Sequence, residues 1–239
     1  MKSITSKIAI ATLALAPFHV FAADMEPSTW SGNVELGLII TSGNTETESI
    51  NAKAKAITDR EKWRHTLTAE ALQTSTSSDT TADKFFLAGK SDYKISKLSY
   101  FFATVNYEKD KFGGYDYQTN EAIGYGQRVI DKKSLFLELE AGLGARQSEL
   151  KLGGSTDEFV VRTAGSLEWK LSDTSKFNQD LSIAFGEDST DTKSVSSLTA
   201  NIAGSLAMKI SLTLNNKSDV PDGFKKTDTE TAVTLVYGF

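Results

Sequence analysis

The sequence predicts a transmembrane antiparallel β-barrel of twelve strands. Three observations carry that prediction: a leader of the export type, a two-residue alternation of apolar and polar residues that recurs along the chain, and an alternating last segment that ends on Phe239. Lys2 and Lys7 precede an apolar run from Ile8 to Phe21, and small residues follow at Ala22 and Ala23. That order is the tripartite pattern of a secretory signal peptide. Val20 and Ala22 occupy the small-residue positions before the cut, so cleavage is expected after Ala22, giving a leader at 1–22 and one barrel domain at 23–239. The run falls short of the roughly 20 apolar residues that a spanning helix needs. No Cys follows it, which excludes a lipoprotein anchor and structural disulfides.

The elements follow in order. In the first strand, about 30 to 41, Trp30, Val34, Leu36, Leu38 and Ile40 share one face and Asn33 and Glu35 the other. The second, about 46 to 58, sets Ile50, Ala52, Ala54 and Ala56 against Asn51, Lys53 and Lys55. The third starts at Trp63, with Leu67, Ala69 and Ala71 outward and Arg64, Thr66, Thr68 and Glu70 inward. The same alternation places strands at about 84 to 94, 99 to 109, 117 to 130, 135 to 146, 158 to 171, 176 to 187, 195 to 208, 210 to 217 and 227 to 239. Short turns at Asp59–Lys62, Ile95–Leu98, Asp131–Ser134 and Ser172–Ser175 alternate with longer connections at Ser75–Asp83, Asp110–Asp116, Gln147–Asp157 and Ser218–Lys226; a very tight turn is expected near Lys209. Short periplasmic turns and longer outer loops are the usual asymmetry of such barrels. An even strand count brings both ends to one rim, expected to be periplasmic, and closure removes the edge that lipid could not satisfy.

Aromatic residues fall where this reading needs them. Trp30, Trp63 and Trp169 come to the periplasmic rim as interface anchors, with Phe177 and Phe239, while Tyr107, Phe112, Tyr115, Tyr117, Phe159 and Phe185 gather at the outer rim. In the last strand Val233, Leu235, Tyr237 and Phe239 alternate with Thr234, Val236 and Gly238. Tyr237 and Phe239 resemble the terminal signal read by the barrel-assembly machinery. The expected location is the cell outer membrane of a Gram-negative bacterium, with membrane lipid and lipopolysaccharide as surroundings. A net charge of −5 gives no support to a nucleic-acid partner.

Catalysis needs a nucleophile within reach of a base. His19 leaves with the leader, and His65 faces lipid beside Trp63, so no catalytic residue is assigned and no enzyme is expected. Without cysteine or a histidine pair at ligand spacing, neither a metal site nor a cofactor is expected. Asp157, Glu158, Asp188 and Asp191 read as solvated outer-loop carboxylates. The informative face is the inward one, where the lumen charge candidates are Glu35, Lys53, Lys55, Arg64, Glu70, Arg128, Glu138, Glu140, Arg146, Arg162 and Glu168. Unpaired charges in a dry lumen are costly, so these either pair with one another or meet water. Gly124, Gly126, Gly142 and Gly144 also face inward and either admit rings such as Phe102 and Phe136 or widen the lumen.

Glu35-Leu36-Gly37 with Thr41-Ser42-Gly43-Asn44-Thr45, Trp63-Arg64-His65, Asn215-Asn216, Pro221 and Gly223-Phe224-Lys225-Lys226-Thr227-Asp228 together resemble the YdiY-like salt-induced outer membrane proteins. The resemblance spans the mature chain and implies an outer-membrane barrel expressed in response to salt. It implies no activity for particular residues. Two readings stay open at this level: a narrow channel for ions or small solutes, and a structural or interaction barrel with a plugged lumen. An outer-membrane enzyme is a distant third.

Overall fold

A computed structural model describes residues 30–41, 47–76, 79–151 and 153–239. The expected leader at 1–22 lies outside the described residues. Twelve strands follow one another: β1 (Trp30–Thr41), β2 (Thr47–Asp59), β3 (Trp63–Thr76), β4 (Asp79–Lys94), β5 (Ser99–Asp110), β6 (Tyr115–Lys132), β7 (Leu135–Leu150), β8 (Ser155–Lys170), β9 (Ser175–Gly186), β10 (Thr190–Ala203), β11 (Leu206–Lys217) and β12 (Thr227–Gly238). Each is antiparallel to its chain neighbour, and β1 pairs with β12 to close the barrel. Closure is what allows a sheet to sit in lipid, since every backbone group needs an internal partner there.

Side-chain direction follows the period of two. Leu67, Val105, Ile123, Leu139, Leu143, Ile210 and Leu235 stand exposed on the outer wall, while Glu35, Asp92, Glu138, Arg146 and Tyr100 are buried in the lumen. An apolar exterior around a polar interior is the reverse of a soluble protein and fits a membrane barrel. Trp30, Trp63 and Trp169 are exposed on the wall at the rim that carries both barrel termini. There Trp63 stacks on His65 and meets Tyr93 edge-on. The backbones of Phe239 and Gly32 exchange two 3.0 Å hydrogen bonds at the closing seam.

The structure corrects three expectations. The tight turn lies at Gly204–Ser205, not near Lys209, and a positive φ at Gly204 makes it possible. Lys209 instead projects into the lumen. The expected length contrast between the two sets of connections is largely absent, because β3, β4, β7 and β8 run further toward the far rim than their apolar residues do. Only the 218–226 connection remains long. Finally, a register shift between Tyr115 and Tyr117 turns Tyr115 away from the outer girdle, so that Lys217 lies over its ring.

Candidate functional site: the lumen

Toward the rim that carries the termini, one lattice of side chains braces the barrel from β3 to β8. Arg64 reaches Asp92 at 2.7 Å and Glu138 at 3.2 Å, and Arg128 approaches Glu138 at 3.6 Å. Lys90 contacts Asp92 at 3.0 Å and also pairs with Glu140, which Arg162 meets at 2.9 Å. The Tyr100 hydroxyl donates to Glu140 at 2.8 Å. Arg64 and Lys90 lie over the Tyr100 ring, and Lys90 and Arg162 over Phe102. The glycines explain how two rings fit: Tyr100 packs onto Gly126, and Phe102 onto Gly124 and Gly142. The glycine patch therefore admits rings, with Tyr100 beside the expected Phe102.

At mid-depth Lys53 pairs with Glu70 at 2.5 Å, while Lys193 approaches Glu70 from the opposite wall at 3.8 Å. Lys209 holds Glu35 at 3.0 Å. Toward the far rim Arg146 is 1% exposed, which an ion tolerates only when nearly every donor has a partner. It meets Glu158 at 3.1 Å, Asp191 at 2.7 Å and the Ser189 carbonyl at 2.9 Å. Lys217 joins Asp191 at 2.9 Å and reaches across to Gln118. Lys84 pairs with Asp110 at 2.9 Å and faces Asp228 at 3.7 Å. Glu168 stands apart near the rim of the termini, paired with Lys176 at 3.1 Å. Among the described residues Lys55 has no ion-pair partner.

Space remains between these braces. A cavity of about 410 Å³ and a second of about 330 Å³ occupy the far half, sharing Lys84, Asp110, Phe112, Asn215 and Asp228. A third, about 100 Å³, lies deeper and shares Asn51, Lys84, Asn215 and Glu230 with the first. A separate pocket of only about 10 Å³ lies between Arg64, Asp92, Arg128 and the turn at Ser96–Lys97, and the ion pairs and rings of the lattice fill the interior above it. The lumen is thus a polar vestibule narrowing onto the lattice around Arg64 and Glu138.

Asp191, Lys193, Lys209 and Lys217 belong to this interior and are absent from the set expected of the sequence. The outward partners of β10 are Thr190, Thr192, Ser194 and Ser196, so its first half shows no apolar alternation to read. Glu158 faces inward, as its alternation predicts, and pairs with Arg146, while Asp191 is a second lumen partner of Arg146 rather than a solvated loop acid. Among the described residues no cluster of His, Cys, Asp and Glu suits a metal ion. His65 Nδ1 lies 2.9 Å from Ser91 Oγ on the outer wall, away from the lumen charges.

Comparison with known proteins agrees with this architecture. The chain is 25% identical over 229 residues to the uncharacterized protein YdiY of Escherichia coli (strain K12), covering 94% of this chain and 90% of that one. Its fold resembles the NanC porin, with a TM-score of 0.54 at 9% identity over 86% of this chain and 98% of the other. It likewise resembles the COG4313 outer membrane channel from Pseudomonas putida F1, with a TM-score of 0.51 at 11% identity over 92% of this chain and 100% of that one. The profile described as "Protein of unknown function, DUF481" matches residues 34–239, and the chain accordingly belongs to the DUF481 family.

Proposed function

We propose that this barrel is a narrow passive channel of the outer membrane for ions and small polar solutes, with both termini in the periplasm and lipopolysaccharide around its far end. The observation that supports it best is the connected vestibule of about 410 and 330 Å³ ending on a charged constriction. Rings of fixed charge set the barrier that each ion sign meets. Twelve strands lie between the side-chain-filled eight-stranded barrels and the open sixteen-stranded porins, so the conductance is small. No catalytic role is proposed: His65 is an interfacial anchor stacked on Trp63.

The same lattice favours a second reading, a barrel whose ion pairs plug it at rest. The two readings differ in how they respond to salt. Water-accessible pairs such as Lys84 with Asp228 and Lys53 with Glu70 weaken as ionic strength rises, because screening shortens the Debye length from about 10 Å at 0.1 M to about 3 Å at 1 M. Current through single barrels in a planar bilayer should therefore grow more steeply with salt than bulk conductivity does. Arg162→Glu should shift its reversal potential toward cation selectivity. A folded barrel that passes no ions at any salt concentration would establish the plugged reading instead.

A further inference from the structure

The closing seam is only partly zipped. β12 stays paired with β11 from Thr227 to Tyr237, and β1 stays paired with β2 up to Thr41 opposite Thr47. Between β1 and β12, however, the register runs only from Asn33 opposite Gly238 to Leu36 opposite Leu235. Beyond that rung Gly37 still lies against Val233 and Thr234, but no further β1–β12 pairing follows among the described residues. An unpaired strand edge is costly in lipid unless something polar reaches it.

Three observations place a passage there. The cavity of about 410 Å³ is lined by Gly37 and by every residue from Asp228 to Val233. Successive strand residues face opposite sides, so a space touching such a run reaches the strand's edge. Thr234, where the strands part, is 4% exposed, and its Oγ1 has no hydrogen-bond partner. Asn51 of β2 donates to Glu230 of β12 at 2.7 Å, a tie that reaches past β1 on the lumen side.

We propose that the upper seam is a lateral portal through which a single-chain amphiphile moves between the lumen and the bilayer. Its polar head would lie among Ser49, Asn51 and Thr74, and its chain along the outer face of β12. The gap leads into a polar cavity rather than stopping at a backbone edge, which suits an amphiphile better than an added strand. This inference does not depend on ions crossing the barrel.

Cysteine pairs test the seam in the full chain reconstituted in phosphocholine vesicles. Gly32 and Phe239 form a hydrogen-bonded rung, so Asn33 with Gly238, and Ile39 with Ala232 if the register continued, are non-hydrogen-bonded rungs that a disulfide can bridge. Asn33→Cys/Gly238→Cys should oxidise readily, and Ile39→Cys/Ala232→Cys at least ten-fold more slowly; equal rates would mean a zipped seam and no portal. Independently, benzoylphenylalanine at Thr74 should label a radioactive lysophosphocholine added to the bilayer. Joining Ile39→Cys and Ala232→Cys with a short thiol reagent should lower that labelling at least five-fold. Labelling that is absent, or unchanged by the lock, would overturn the proposal, as would a photocrosslinked dimer, which would assign the edge to a second copy.

Discussion

A methyl group at Gly126 would lie 2.2 Å from Cζ of Tyr100, and one at Gly124 would lie 2.8 Å from the Phe102 ring. Tyr100 is 3% exposed and fixed by its bond to Glu140, so it has little freedom to withdraw. Gly126→Ala should accordingly destabilise the barrel by about 1–3 kcal/mol, the usual cost of overpacking. The check is a lower temperature for loss of the compact form on a semi-native gel. Adding Tyr100→Ala should recover much of the loss, because the clash is with that ring. A double variant as unstable as Gly126→Ala alone would show that the glycine serves the backbone and not the ring.

Strand alternation was the most legible feature of the sequence. β3 and β7 carry the outward runs Leu67, Ala69, Ala71 and Leu135, Leu137, Leu139, Ala141, Leu143, and the starts of β1, β3 and β7 at Trp30, Trp63 and Leu135 agree with the expected ones. β10 was not legible over Thr190–Ser194, where both faces are polar, and the β10–β11 turn was misplaced because the outward apolar residues Leu198, Ile202, Leu206 and Met208 keep one parity across it. Of the lumen set, the charges on β1 to β8 were legible because apolar neighbours fixed their direction. Their cross-lumen partners on β10 and β11 were not, since no local pattern records which far wall a side chain meets. The register in β7 makes a prediction of its own. Leu139 is 47% exposed on the wall, while adjacent Glu138 is buried with Arg64 and Arg128. Leu139→Arg should destabilise the inserted barrel by about 2–4 kcal/mol if it sits near the bilayer midplane. Glu138→Gln should leave membrane insertion intact while loosening the constriction, and equal losses of inserted protein from both would mean the faces are misassigned.

For the whole molecule, closure depends on its last residue. Phe239 exchanges two backbone hydrogen bonds with Gly32, and its ring lies where a side chain at residue 32 would otherwise go. Deleting Phe239 should lower the yield of heat-modifiable barrel in outer-membrane fractions, both by removing that rung and, as we propose, by weakening recognition by the assembly machinery. Refolding into detergent separates the two contributions. A deletion that refolds normally in vitro yet fails in cells has lost recognition, whereas failure in both has lost the rung. Wild-type yields in both would remove Phe239 from either role.

The braces are unevenly distributed around the circumference. Strands β3 to β8 are tied by rings and ion pairs, whereas β12 meets β1 over the few rungs from Asn33 to Leu36. Mechanically, this is a hoop with a stiff arc and a compliant one. Lateral tension or a change in bilayer thickness loads the whole hoop, but the strain concentrates where the stiffness is least. The barrel's shape should therefore follow the state of the surrounding membrane mainly through movement at β1 and β12, while the wall carrying Tyr100 and Phe102 keeps its form.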